Sequence, residues 1–419
     1  MRILLLTVIF GCTASPHGES LVVRLAVWGP LARLTPHDEP GLASIAQPWV
    51  FEKLVSLDGV GNLRPALAVR VIRLPGGRIS LELRHDATFS DGEAVRLPDV
   101  VRSVESAGLR VVAADGEFVV ESRDGAVPTD ALLIRTSIYR ESGGAFLGSG
   151  PFVVTAETEY ELRLVRRSPQ RGRINEVRIL SYPTSRDAFA HTLKGDANVI
   201  ADLEARWLEF FQGVPSLRIV RSTGRSTDSI MFNMRIPREE RVQLATALAS
   251  DHVRQLAYGD AKCAEGGIGD TPESLLPAGP TLRVLNWGPF ERLALAARRA
   301  LGDRGGELST VTPRQALSRL KDGDFDLVTA RPLAWPPSAL SFNWRTGSPD
   351  NLTGYSNPAF DRALDAQDWS AAQQALRDDP PAAFVCTREQ LAVVDARIKN
   401  ATLGPYDLLE TLPDWEVTQ

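Results

Sequence analysis

The sequence predicts an α/β protein with more than one domain. Three observations carry this. Residues 281–287, 290–301, 308–311, 313–322 and 325–330 alternate strand and helix patterns, the rhythm of a parallel sheet with crossover helices. Residues 81–105, LELRHDATFSDGEAVRLPDVVRSVE, place a strand, a turn and a helix in succession. There, Leu81 and Leu83 alternate with Glu82 and Arg84, Asp91-Gly92 signals a turn, and Pro98 and Asp99 suit a first helical turn backed by Val100, Val101 and Val104. Finally, 419 residues are enough for about two to three domains.

Taken in order, residues 21–28, LVVRLAVW, form a first strand of strong β-formers. Pro30, Pro36 and Pro40 then exclude regular structure up to about Ile45. Apolar spacing over 48–57 reads as a helix, and Asp58-Gly59 and Gly61-Asn62 as turns. Residues 69–74, 78–84, 110–113 and 117–122 read as short strands of one sheet, followed by a short structured piece at 131–138. Gly143-Gly144 and Gly148-Ser149-Gly150-Pro151 punctuate the chain. Strands follow at 152–155, 160–166 and 176–181, then a helix at 185–194 that stops at Gly195, a residue suited to a left-handed terminus. A strand at 199–201, a helix at 206–212 and a strand at 229–234 lead to Pro237. The pattern is helical over 239–258 and loop-rich over 259–280, which holds five Gly and three Pro. After the alternating region come helices at 358–366 and 370–378 and a strand at 382–386, and the tail at 394–409 again has strand character.

The composition is that of a globular chain with ample core material, 43% hydrophobic and 24% charged. A net charge of −5 without a Lys/Arg-rich run argues against a nucleic-acid partner. No apolar run of membrane-spanning length follows Phe10. Arg2 and the apolar run 3–10 read as a secretory leader within a segment 1–20 of leader and linker. Ile9-Phe10-Gly11-Cys12 resembles a bacterial lipobox, with Cys12 the lipidated residue; ordinary cleavage after Ala14 is the alternative. Either route exports the chain to the periplasm or cell envelope. In an exported protein, Cys263 and Cys386 pair as a disulfide or stand apart as buried thiols; the sequence leaves both open.

Enzyme and cofactor templates fail. The five His fall in no zinc-protease spacing, and there is no G-x-S-x-G elbow or phosphate loop. Gly148-Ser149-Gly150 lacks the following Lys-Ser/Thr, so it reads as a turn. Asp322-Gly323-Asp324-Phe325-Asp326 lacks the terminal Glu of a calcium loop and reads as a helix-to-strand turn. No covalent chemistry, cofactor or metal site is expected.

Several blocks together resemble the bacterial extracellular solute-binding proteins of family 5, the dipeptide, oligopeptide and nickel-binding proteins of ABC importers. Val50-Phe51-Glu52-Lys53-Leu54-Val55 with Asn62 to Ala68 is similar to one family block. Leu83, Arg84, Phe89, Asp91, Gly92, Asp99, Val100 and Ser103 match the most recognisable one. Gly148-Ser149-Gly150-Pro151-Phe152, Leu193-Lys194-Gly195-Asp196 with Val199, and Phe232-Asn233 follow in the family's order. So do Gly323 to Leu327, Trp335, Gly354-Tyr355-Ser356-Asn357-Pro358 and Asp361.

The resemblance implies a two-lobed periplasmic-binding-protein-like fold of type II, hinged by two crossing segments and closing on a ligand. Lobe one would span 21–235, with an extra subdomain at about 45–147; lobe two would span 236–395; residues 396–419 would return to lobe one. It also implies capture of a peptide or other small polar solute, delivery to the membrane subunits of an ABC permease, and a monomer that reaches the membrane only through a lipid on Cys12. Three features depart from the family. The helix at Leu244-Ala245-Thr246-Ala247-Leu248 lacks the Arg-Gln that members carry there. The segment 259–280 is short, and Ala334 stands before Trp335 where peptide-binding members carry an Asp for the peptide's ammonium. A degenerate, non-transporting paralogue serving as a sensor or structural lipoprotein is therefore the alternative. The candidate ligand-binding residues are Trp335 and Trp28 as cleft walls, Arg331 as a carboxylate partner, Ala334, Asn233 at the lobe junction, Trp287 at a strand end, and Ser149 in the glycine turn.

Overall fold

A computed structural model describes residues 21–37, 42–58, 61–114, 117–125, 127–222, 226–259, 263, 276, 278–288, 290–332, 336–387, 389–404 and 409–418. Cys12, Ala334 and Trp335, and most of the segment 259–280, lie outside the described residues.

The first lobe is built on a seven-stranded sheet. Its order is Phe152–Glu157, Glu161–Arg166, Glu176–Tyr182, Val22–Trp28, Val199–Ile200, Gln390–Asp395 and Leu217–Ser222. Val22–Trp28 sits near the middle, parallel to Glu176–Tyr182 and Val199–Ile200. Val23, Leu25 and Val27 enter the main core with Trp49, Phe152 and Trp415, while Ala26 joins Phe189 and Phe211 on the opposite face. Both faces are covered, which explains why this strand reads as a nearly continuous apolar run. Thr184 caps the helix Ser185–Lys194 by accepting from the Asp187 amide, and Gly195 ends it at φ 88°.

The extra subdomain is a four-stranded antiparallel sheet in the order Ala68–Leu74, Arg78–Leu83, Glu117–Ser122 and Leu109–Ala114. The helix Leu97–Ser106 lays Val100 and Val104 on it. Asp99 closes the start of this helix by accepting from the Arg96 amide at 3.0 Å.

The second lobe is a five-stranded sheet in the order Gly305–Val311, Leu282–Trp287, Leu327–Ala330, Thr227–Phe232 and Ala382–Thr387. The first three strands are parallel, as the alternating pattern predicts, and Thr227–Phe232 is antiparallel to both its neighbours.

The lobe boundaries differ from the expected 235/236 and 395/396. Leu217–Ser222 and Gln390–Asp395 pair in the first-lobe sheet, whereas Thr227–Phe232 and Ala382–Thr387 pair in the second. The chain therefore crosses between 222 and 227, and returns between 387 and 390. The same two segments are partners on both sides, so the joint is a narrow ribbon. The Thr227 and Thr387 hydroxyls lie 2.6 Å apart, and Arg221 meets Glu389 at 2.6 Å. Cys263 is disulfide-bonded to Cys386 on the returning strand, with Cα atoms 5.1 Å apart.

Local expectations change in four places. Only Gln47–Val50 of the predicted 48–57 helix is helical. The Lys53 and Leu54 carbonyls instead accept from Leu67, Ala66 and Ala68, and Val55–Leu57 pairs with Leu63–Pro65, so strand bonding replaces the helix. The predicted helix 206–212 is a 3₁₀ turn, Ala205–Phe210. Residues 239–258 form two helices, Arg238–Leu248 and Asp251–Tyr258, because Ser250 caps the second by accepting from Val253. The tail's strand is Gln390–Asp395; beyond it, isolated bridges join Ile398 to Val417 and Glu416 to Arg173. Among the described residues, no helix is long and apolar enough to cross a membrane.

Candidate functional site

The two sheets face each other across a cleft of about 750 Å³. Lobe one lines it with Trp28, Leu42, Ile45, Asp202, Glu204 and Arg206; lobe two supplies Asp228, Tyr258, Phe290 and Glu291. Trp28 closes the strand Val22–Trp28, and Asp202 follows Val199–Ile200. Phe290 and Glu291 follow the strand Leu282–Trp287 and open the next helix. Parallel strands thus present their C-terminal ends to the cleft from both sides, the usual place for ligands in open α/β sheets.

A charged network sits at the centre. Arg331, one residue beyond the strand Leu327–Ala330, donates from Nε to Asp228 at 2.6 Å. Its Nη1 lies 3.5 Å from Asp202, so the network crosses from one lobe to the other. The Tyr258 hydroxyl donates to the second Asp228 oxygen at 3.1 Å, and the Arg331 guanidinium lies over the Phe290 ring, 5.4 Å from its centroid. Arg331 Nη2 is buried and has no hydrogen-bond partner. Asp202 holds φ at 50°, a left-handed conformation uncommon for a residue with a Cβ.

Burial raises the Asp228 carboxyl above the ordinary carboxylate range, against the pull of Arg331 and Tyr258. Burial lowers the Arg331 guanidinium, but the Asp228 and Asp202 carboxylates outweigh it, and the net direction is upward. Burial beside Asp228 also pushes the Tyr258 hydroxyl far up, which keeps it a donor. Among the described residues, no group of His, Cys, Asp and Glu is arranged to hold a metal.

The predicted site residues divide. Trp28 lines the cleft, 37% exposed, with one edge on Phe189 at 5.8 Å between centroids, and Arg331 joins the charged network. Arg331 is committed to the chain's own carboxylates rather than free on the surface. Trp287 stands just behind the wall, edge-on to Phe290 at 6.3 Å, and packs against the lobe-two core. Asn233 is not at the lobe junction. It follows the far end of Thr227–Phe232, whose first residue is the one beside the crossing. There its amide donates to the Gly323 and Phe325 carbonyls at 3.2 and 3.0 Å, clamping a turn. Ser149 lies away from the cleft, beneath Trp49 and Val50. A Cβ on Gly148 would meet the Val50 carbonyl oxygen at 1.9 Å, and one on Gly150 the Trp49 carbonyl oxygen at 2.5 Å, so close backbone approach accounts for both glycines. Asp202, Asp228, Tyr258 and Phe290 were not predicted. The one local signal was a carboxylate, Asp228, set two residues before the apolar run Ile230 to Phe232.

No protein-family profile matches the chain, and no curated protein matches it in sequence. Solved structures do match. The oligopeptide-binding protein AppA from Bacillus subtilis, in complex with a nonapeptide, is 15% identical at a TM-score of 0.76, over 96% of this chain and 100% of that one. DppA from Helicobacter pylori, a periplasmic binding protein in complex with the peptide STSA, is 14% identical at a TM-score of 0.75, over 95% and 98%. NikA from Staphylococcus aureus, in complex with Ni(L-His)2, is 12% identical at a TM-score of 0.73, over 95% and 100%. At these identities the likeness shows the fold: the chain has the α/β architecture of two-lobed binding proteins.

Proposed function

We propose that this chain is an extracytoplasmic solute-binding protein of an ABC importer, akin to family 5, which captures a small polar solute or peptide between its lobes. The observation that carries this reading is the cleft built from the strand ends of both sheets, with Trp28 on one side and Phe290 on the other. A ligand touching both lobes favours their closed arrangement, and the ribbon joint permits the movement. The buried Nη2 of Arg331 offers one donor to a ligand carbonyl or carboxylate. The function requires no covalent chemistry.

Native mass spectrometry of protein purified from its own host, followed by calorimetry with a peptide panel and with nickel–histidine, tests the reading. A co-purified small mass or a saturable affinity is expected; neither, over the full panel, would sink it. With a bound compound in hand, Trp28→Ala weakens its affinity roughly tenfold, the scale of one lost aromatic contact. Unchanged affinity would remove Trp28 from the site.

Lipidation of Cys12 is part of the proposal, with cleavage after Ala14 the alternative. Cells expressing the full chain incorporate labelled fatty acid into it, and Cys12→Ser abolishes that label; a variant that stays labelled excludes this anchor. The second reading, a sensor or structural lipoprotein without cargo, draws on the Arg331–Asp202 contact, by which the chain's own charges span the cleft.

A further inference from the structure

A second contact joins the lobes away from the cleft. In the subdomain, Val127 and the helix Thr129–Leu133 precede Arg135; across from them, lobe two presents the turn Pro337–Ala339 and the helix Leu340–Trp344. Val127, Ala131, Ala339 and Phe342 form a buried apolar cluster of their own, each at most 4% exposed. The Arg135 guanidinium covers the outer side, its carbon 4.2 Å from the Phe342 ring centroid, and Nη1 lies 2.9 Å from Asp350. Arg135 and Asp350 are 215 residues apart in sequence. Neither partner belongs to the ribbon joint or to the ligand cleft.

We propose that this contact is a clasp that holds the lobes closed in the absence of ligand. Rotation about the ribbon separates lobe two from the subdomain, so opening must uncover Phe342 and Ala131 and pull Arg135 from Phe342 and Asp350. A ligand then adds to a closed state that is already populated, rather than creating it. Closure by the clasp goes beyond the ligand reading and does not depend on which ligand binds.

Small-angle scattering of the ligand-free full-length protein tests it. A compact chain of this length has a radius of gyration of about 22 Å. The native protein is expected near that value. Arg135→Asp is expected to raise it by about 1–2 Å, as a roughly hundredfold shift from mostly closed to mostly open forms would, and the milder Asp350→Asn, at a half-exposed position, by a smaller amount in the same direction. The charge swap Arg135→Asp/Asp350→Arg is expected to restore the compact value, which a folding defect would not allow. Circular dichroism confirms that each variant is folded. A native protein already open without ligand, or an Asp350→Asn variant that scatters as the native protein does, would overturn the proposal. These readings use no ligand, so failure of the ligand panel leaves them intact, and the reverse holds.

Discussion

Asp228→Ala lowers the unfolding free energy by about 3 kcal/mol, the scale of removing one partner from a buried ion pair. Asp228 is 2% exposed and holds both Arg331 and Tyr258. Without it, the guanidinium stays enclosed beside Phe290 with only the long contact to Asp202, and the Tyr258 hydroxyl loses its acceptor. An unpaired buried charge costs more than the pair ever contributed, because desolvation is no longer offset. The double change Asp228→Leu/Arg331→Met is therefore expected to recover most of the loss. Urea titrations of the three proteins check this. A single variant within about 1 kcal/mol of the native chain would mean that water reaches Arg331 freely.

Removing the Cys263–Cys386 bond is the second large effect. The bond closes a sequence separation of 123 residues. Chain-entropy reasoning puts the stabilisation from so long a loop above 4 kcal/mol, and measured losses for native disulfides run at about 2–5. Cys263→Ala/Cys386→Ala is expected to cost about 3 kcal/mol. On a chain of this size that is a fall in melting temperature of roughly 3–4 °C. Calorimetric scans of the native protein with and without reductant should differ in the same direction. Coincident scans, with reduction verified by thiol titration, would show that lobe two holds Cys386 by packing alone.

The fold was largely legible because its elements have local causes. The helix Ser185–Lys194 begins at a hydroxyl cap and ends at a glycine, and both signals lie within the segment. The parallel part of the second sheet follows from alternating strand and helix patterns. The elements that went astray depend on distant partners. Val55–Leu57 reads as helix until Leu63–Pro65 lies beside it. Likewise, the expected lobe boundaries missed the pairing of Leu217–Ser222 with Gln390–Asp395, segments far apart in the chain.

The candidate site was less legible, for a related reason. Trp28 was reachable because it ends a strand whose pattern is plain. Arg331, just past another such strand, was reachable as a carboxylate partner, whereas Asp202, Asp228 and Tyr258 belong to separate elements, and none has a spacing that marks it. The blocks that carry the family resemblance turn out to be scaffold: Arg84 ties to Glu52 at 3.0 Å, Asp99 caps a helix, and Asn357 caps another by accepting from the Ala359 and Phe360 amides. These duties require particular residues within one or two turns of chain, so the sequence alone determined the α/β class and most elements. The ligand cleft, the Asp228–Arg331–Asp202 network and the Arg135 contact with Phe342 were decided only by the tertiary structure. Each joins residues from different elements, and all three span the lobes, where a contact depends on how two sheets meet rather than on any local pattern.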